Sequence, residues 1–164
     1  MHILMTGGTG LIGTATCAAL HAAGHKLTIL TRRGRPATND VTYVTALEDC
    51  AEPVDAVINL AGAGLADRRW SEAYKRQIIS SRVDLTRDLV AWLGELEHTP
   101  KRLISASAIG YYGAADERAF AEDGLPGAGF AAALCQSWEN EAGRATEYGT
   151  QVSLLRFGVV LARE

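Results

Sequence analysis

The sequence predicts an α/β domain: a doubly wound parallel sheet of six strands with helices on both faces. Short apolar runs alternate with longer stretches of helical periodicity along the whole chain, the order expected when each strand is followed by a crossover helix. The first apolar run stops at Gly7-Gly8-Thr9-Gly10-Leu11-Ile12-Gly13, a glycine-rich turn that opens directly into a helical pattern. The chain has 164 residues, enough for one domain with a sizeable core and too few for two comfortable ones.

The elements follow in order. Ile3–Thr6 reads as a buried strand. Leu11, Ile12, Ala15, Ala19, Leu20 and Ala23 fall at helical spacing, which predicts a helix over Leu11–Ala23 closed by Gly24. Lys26–Thr31 is the second strand and Val41–Thr45 a short third one, reached through Gly34-Arg35-Pro36. Val54–Leu60 makes the fourth and ends at the small-residue run Ala61-Gly62-Ala63-Gly64. One long helix is expected over Ser71–Glu97, with Ile78, Ile79, Arg82, Val83, Thr86, Leu89, Val90, Leu93 and Leu96 near one side. Arg102–Ser107 is the fifth strand, and residues 113–129 form a loop rich in Gly, Pro and acids. A helix over Phe130–Tyr148, stopped by Gly149, leads to the sixth strand, Gln151–Phe157.

Composition removes several function classes. Charged residues make up 21% and hydrophobic ones 48%, an ordinary globular balance, and the formal net charge is -3. A nucleic-acid binder would carry a basic footprint, and Arg32-Arg33 is too short a run to supply one. No apolar stretch reaches membrane-spanning length, so no membrane partner is expected and the cytoplasm is the default location. Cys17, Cys50 and Cys135 are widely spaced and read as free thiols in a reducing compartment. His2, His21, His25 and His98 have no acidic or thiol partner at ligand spacing, so no metal site is expected.

The glycine turn carries the chemistry. Gly7 permits a tight turn out of the first strand, Gly10 lacks the Cβ that would block a pyrophosphate, and Gly13 permits close packing of the helix on the sheet. The unpaired N–H groups and partial positive charge of the helix start then face the phosphates. Thr9, Leu11 and Ile12 lie in the same turn and belong to the candidate cofactor site. The spacing is one residue wider at the front than the commonest dinucleotide fingerprint, and its position between a strand and a helix is what gives it weight.

The end of the second strand discriminates between dinucleotides. An NAD site places an Asp or Glu there to accept from the ribose 2′-hydroxyl. This chain has Thr31-Arg32-Arg33 instead, and a guanidinium grips a 2′-phosphate with paired hydrogen bonds. The expected cofactor is NADP(H); the competing reading is a pair of solvated surface arginines.

These residues resemble the extended short-chain dehydrogenase/reductase superfamily and, more narrowly, its epimerase family proteins, which are nucleoside-diphosphate-sugar epimerase-like. The matching stretches are Thr6–Gly13, Val57–Gly62, Arg69-Trp70, Ser81-Arg82, Ser105–Gly113, Leu134-Cys135, Trp138-Glu139 and Arg156–Leu161. The first is superfamily-wide, whereas Arg69-Trp70, Ser81-Arg82 and Gly110-Tyr-Tyr-Gly113 are specific to the group. The resemblance implies an NAD(P)-binding Rossmann fold over residues 1–164. It also implies that Leu60, Ala61, Gly62 and Ser105 lie along the cofactor, that Arg82 contacts it near the nicotinamide side, and that Gln77 and Val160 are further contacts. Relatives continue past Gly158-Val-Val-Leu161 into a substrate-binding half, so the chain reads as a fragment or a truncated reading frame.

Reductases and epimerases of the superfamily use a Tyr-x-x-x-Lys pair, the lysine lowering the pKa of a phenol that is otherwise a poor base at neutral pH. Anchored on Trp138-Glu139, the tyrosine position falls at Ala131 and the lysine position at Cys135. Ser107 matches the usual hydroxyl position, and Tyr111 or Tyr112 is a displaced acid/base candidate, with Arg82 as the cation that would tune it. Both rings could equally pack on cofactor or loop. Glu117, Glu122 and Asp123 read as solvated.

The leading functional expectation is therefore an NADP(H)-dependent oxidoreductase or epimerase domain moving hydride at a carbonyl or hydroxyl carbon of an unidentified small molecule. The alternatives are a non-catalytic NADP(H)-binding sensor or protein-interaction module, and a nucleotide-sugar binder without redox chemistry. A homodimer through the two long helices is expected only by analogy with the superfamily.

Overall fold

The computed structural model describes residues 1–38, 40–114 and 119–161. Six strands form one sheet: β1 (His2–Thr6), β2 (Lys26–Leu30), β3 (Val41–Val44), β4 (Ala56–Asn59), β5 (Arg102–Ala108) and β6 (Gln151–Phe157). All neighbours pair in parallel, in the order β3-β2-β1-β4-β5-β6. This is the doubly wound Rossmann order, which reverses direction between β1 and β4 and opens a crevice at their carboxyl ends. The helices are α1 (Leu11–Ala22), α2 (Glu72–Ile79), α3 (Leu85–Glu95) and α4 (Phe130–Gly143), the last running on into a 3-10 turn over Arg144–Tyr148.

Both faces of the sheet are covered, as the near-continuous apolar runs of the central strands require. On one face Ile3, Met5, Leu27, Ile29, Ala56 and Ile58 are buried with the partly buried Cys17 and Leu20 of α1. On the other, Leu4, Val57 and Leu103 pack on Leu89, Val90, Trp92 and Leu93 of α3 and Ala142 of α4. A third cluster joins Tyr74 and Ile78 of α2 to Ala106, Leu134 and Trp138 near the crevice.

The expected single helix from Ser71 to Glu97 is interrupted. Ser80–Asp84 forms a π turn between α2 and α3, and the helix ends at Glu95. A π turn adds a residue to the helical spiral, so the faces before and after it are rotated. Arg82 and Val83 therefore both turn inward with Ile78, whereas Ile79, expected on the apolar side, is exposed.

A polar network crosses the core beneath the crevice. Thr6 Oγ1 donates to Asn59 Oδ1 at 2.6 Å, and Asn59 Nδ2 donates to Thr86 Oγ1 at 2.8 Å and Ser105 Oγ at 3.1 Å. Trp138 Nε1 donates to the same Thr86 oxygen at 3.0 Å. Each of these groups is buried. Thr86→Val keeps the shape of this side chain and removes its acceptor, leaving the indole N–H and half of the Asn59 amide without their partner. The expected cost is about 1–3 kcal/mol, read as a lower urea midpoint; an unchanged midpoint would show that the network adds nothing.

Candidate functional site

The crevice is built from backbone first. Gly7 has φ +69°, and a Cβ there would stand 2.6 Å from the Leu60 carbonyl carbon and oxygen and 2.7 Å from the Ala61 nitrogen. Only glycine lets β1 turn this close to the end of β4. At Gly13 a Cβ would meet the Gly7 carbonyl oxygen at 2.1 Å and the Gly8 Cα at 2.7 Å, so its role is to close the turn on itself rather than to seat α1 on the sheet. That second task falls to Gly8, which sequence reasoning left without a role: its Cβ would meet Ile29 Cγ2 at 2.8 Å and Cys17 Sγ at 3.2 Å. At Gly10 the nearest atom is the Gly7 oxygen at 3.4 Å, so this side of the turn is an open cradle.

Gly10 is also the N-cap of α1, with no side-chain cap and no acid in the first turn. The first N–H groups of a helix lack intrahelical partners, and here no carboxylate of the turn competes for them. Leu11 is exposed and Ile12 half-buried beside this opening.

Beyond the turn lies a cleft of about 500 Å³ lined by Thr9, Thr31, Arg32, Arg33 and Arg35. The Thr31 hydroxyl donates to the Arg33 carbonyl at 2.6 Å and holds the bend after β2. Among the described residues none of the three arginines has an ion-pair partner. The sequence pointed to Arg32 and Arg33 and missed Arg35, which Gly34-Arg35-Pro36 had marked only as a turn.

The segment after β4 is clamped by the π turn. Ala61 N–H donates to Thr6 Oγ1 at 3.1 Å, and Ala63 N–H donates to Ser81 Oγ at 2.9 Å. Arg82 Nη2 donates to the Ala63 carbonyl at 2.9 Å. Ser81 and Arg82 thus hold the two backbone polar groups of one residue, Ala63. Gly62 is the seat of the arginine: a Cβ there would lie 2.7 Å from the guanidinium carbon. Arg82 is buried, its guanidinium carbon 5.4 Å from the Trp138 ring centroid, and it has no carboxylate partner among the described residues. Burial holds its pKa below the usual guanidinium value, partly offset by the nearby Cys135 and Tyr74.

Other predicted contacts are placed less directly. Leu60 and Ala61 stand at the switch point against Gly7. Ser105 is fully buried with its hydroxyl on Asn59, so a ligand in the crevice would meet only its backbone. Gln77 is on the exposed side of α2, and Val160 lies exposed past the end of β6.

The predicted chemical groups are brought together, with different partners from those expected. Ser107 is buried and its hydroxyl donates to Glu139 Oε1. Arg156 holds the same carboxylate in a two-pronged pair, Nε to Oε1 and Nη2 to Oε2, both at 2.8 Å. Burial alone would raise the Glu139 pKa, but the hydrogen bonds from Arg156 and Ser107 and the Arg156 charge outweigh it, and the net direction is down. Those bonds raise the pKa of Arg156. Tyr112 is engaged on both sides of its hydroxyl, accepting from Arg156 Nη1 at 2.7 Å and donating to the Ala121 carbonyl at 2.9 Å. Tyr111 has its ring centroid 3.5 Å from the Arg156 guanidinium carbon, and its hydroxyl makes no hydrogen bond among the described residues. The cation beside the tyrosines is therefore Arg156 and not Arg82. Sequence separation hid this: the two facing strands put Arg156 opposite Ser107 only once β5 and β6 pair.

Gly110 packs where the usual Tyr/Lys pair would project. A Cβ there would lie 3.3 Å from Ala131 Cβ and 3.8 Å from Cys135 Sγ. The Cys135 thiol is buried, and burial pushes its pKa up. Glu122 and Asp123 are exposed, and the Glu122 carbonyl accepts from Arg156 Nη1 at 2.8 Å; Glu117 lies outside the described residues.

Comparison with known proteins gives a consistent picture. Residues 3–162 match the model of the NAD dependent epimerase/dehydratase family. An epimerase family protein of Mycobacterium bovis is 39% identical over 165 residues, which is 98% of this chain and 54% of that protein. The epimerase family protein YfhF of Bacillus subtilis is 36% identical, covering 100% of this chain and 56% of its own length. The chain therefore spans about half the length of the curated relatives it matches. Among solved structures, human epimerase family protein SDR39U1 with NADPH superposes with a TM-score of 0.86 at 30% identity, over 100% of this chain and 56% of that one. A UDP-glucuronic acid 4-epimerase from Bacillus cereus in complex with NAD has a TM-score of 0.78 at 20% identity, over 96% of this chain and 56% of its own, and shows the shared fold alone.

Proposed function

The chain belongs to the NAD dependent epimerase/dehydratase family, and on that premise we propose that it is the NADP(H)-binding domain of an epimerase-like oxidoreductase. The observation that carries this reading is the basic cleft next to the open glycine cradle. The cradle at Gly10 and the uncapped start of α1 suit a pyrophosphate, and the three arginines at the end of β2 suit a 2′-phosphate in the place where an NAD site has an acid. The NADPH-bound human relative supports the same choice. Arg82, Leu60, Ala61 and Gly62 line the way from the switch point and would hold the rest of the dinucleotide, with Val160 and Gln77 as outer contacts.

When bound, a nicotinamide dinucleotide supplies hydride exchange at a carbonyl or hydroxyl carbon. The chain's own groups then serve the oxygen of that carbon. The Ser107 hydroxyl already donates its hydrogen bond to Glu139, so it offers lone pairs, and it would accept from a substrate hydroxyl. Tyr111 is the tyrosine whose hydroxyl makes no hydrogen bond among the described residues, and its ring is held against the Arg156 guanidinium, so it is the candidate to meet the substrate oxygen. Tyr112 serves instead to tie the loop to β6.

A second reading, a dinucleotide-binding module without turnover, draws on the closed space at Gly110, Ala131 and Cys135. Calorimetry tests the binding claim. NADPH is expected to bind at least tenfold more tightly than NADH, and Arg32→Ala or Arg33→Ala to weaken NADPH by roughly 10- to 100-fold while moving NADH less than about twofold. Equal affinity of the unchanged protein for the two dinucleotides would end the NADP(H) reading. Oxidation of NADPH by a panel of aldehydes and ketones, abolished by Tyr111→Phe, separates the enzyme from the module.

A further inference from the structure

We infer that Arg82, a buried guanidinium without a carboxylate to pair with, makes the site prefer the reduced dinucleotide, NADPH, over NADP⁺; this rests on the dinucleotide reading above. The two arginines of the β4–β5 side differ in their partners. Arg156 meets the Glu139 carboxylate through two nitrogens. Arg82 is 9% exposed and finds only neutral acceptors among the described residues: the Ala63 carbonyl at 2.9 Å from Nη2, and the Ile78 carbonyl and Ser81 hydroxyl, each 3.5 Å from Nη1.

A charge taken out of water without a counter-charge costs stability, and a guanidinium cannot escape the cost by losing its proton. The fold nevertheless makes room for it. Gly62 leaves out the Cβ that would stand 2.7 Å from the guanidinium carbon, and the Trp138 ring lies 5.4 Å away on the other element.

The place of this charge follows from the strand order. The basic cleft at the end of β2 would take the adenosine half of the ligand, which carries the 2′-phosphate. A dinucleotide binds across the switch point, so its nicotinamide half falls over the ends of β4 and β5. Arg82 is bonded to the segment that leaves β4, and the Cys135 thiol has both Arg82 and Ser107, near the end of β5, beside it. The nicotinamide ring is positive when oxidised and neutral once it has taken up a hydride. Like charges repel strongly where water is scarce, so a fixed cation on this side penalises NADP⁺ and spares NADPH. The phosphates and riboses are the same in both forms and cancel in the ratio of affinities. The same factor moves the hydride equilibrium of the bound pair toward the reduced form.

Calorimetry with NADPH and NADP⁺ tests this on the unchanged chain, on Arg82→Met and on Arg82→Lys. The unchanged chain is expected to bind NADPH at least tenfold more tightly than NADP⁺; Arg82→Met should lose about tenfold of that preference, and Arg82→Lys, which keeps the charge, should retain most of it. Adenosine 2′,5′-bisphosphate, which has no nicotinamide, should bind all three proteins within about twofold and so reports an intact fold. Equal affinity of the unchanged chain for the two forms overturns the assignment, as does an unaltered ratio in Arg82→Met. A ratio in Arg82→Lys as low as in Arg82→Met does the same, since the preference would then come from the guanidinium's hydrogen bonds and not its charge. Should Arg82→Met lose the bisphosphate as well, the unchanged chain and Arg82→Lys still decide. If the unchanged chain binds neither dinucleotide nor the bisphosphate, it is the dinucleotide reading itself that fails.

Discussion

Alanine at position 13 is expected to lower the stability of the chain by about 3 kcal/mol and to remove dinucleotide binding with it. The added Cβ would stand 2.1 Å from the Gly7 oxygen and 2.7 Å from the Gly8 Cα, and both are backbone atoms that cannot rotate away. Gly7 in turn is held against Leu60 and Ala61, so the turn has no direction in which to relax without opening the switch point. Gly10→Ala is the informative contrast. Its φ of -84° is one alanine adopts, and its Cβ would meet nothing nearer than 3.4 Å. Stability should fall by no more than about 1 kcal/mol, the ordinary difference between the two residues at an N-cap. NADPH affinity should nevertheless fall at least tenfold, because the methyl group fills the open cradle. Urea unfolding and calorimetry on the two variants separate folding from binding. Normal NADPH affinity in Gly10→Ala would place the phosphates somewhere other than this turn.

Arg156→Ala is the second large effect. It leaves the buried Glu139 carboxylate with Ser107 as its remaining side-chain partner, and removing one member of a buried pair costs about 3 kcal/mol or more. Its pH dependence identifies the cause. In the unchanged protein the folded pKa of Glu139 lies below its ordinary value, so the pair's contribution is complete above the unfolded pKa of about 4.3 and is lost as pH falls through the folded one. Without Arg156 the burial contribution dominates and the folded pKa should rise above the unfolded one. The variant's deficit then shrinks as the medium is acidified, since a protonated Glu139 is tolerated in its buried place. Denaturant midpoints for both proteins, taken from neutral to acidic pH, should converge. Parallel curves would mean that the loss comes from the packing of Tyr111 on the guanidinium and not from the carboxylate.

The strands, the glycine turn and the basic end of β2 were legible because each depends on neighbouring residues: an apolar period, a glycine, a short run of charge. Element ends moved by a residue or two, as at β4, which was expected over Val54–Leu60 and is Ala56–Asn59. The π turn was not legible. Ser80–Asp84 has no breaker residue, and its composition fits an unbroken helix as well. That one added residue is what brings Val83 inward behind Ile78 and leaves Ile79 exposed. Asn59 and Glu139 were also passed over, although both are polar residues inside otherwise apolar elements, a pattern that could have marked them as buried hubs.

By itself, then, the sequence determined the parallel α/β fold, the dinucleotide turn and the excess of positive charge beside it, since local backbone sterics and hydrophobic period do not depend on distant partners. Tertiary structure alone decided which charges meet. Arg156 pairs with Glu139 and backs Tyr111, Arg82 rests on Gly62 with no carboxylate among the described residues, and Arg35 reaches the cleft of Arg32 and Arg33. A salt bridge or hydrogen bond is short-ranged and directional, and residues far apart in the chain come within its reach only after the strand order and the helix rotation are set.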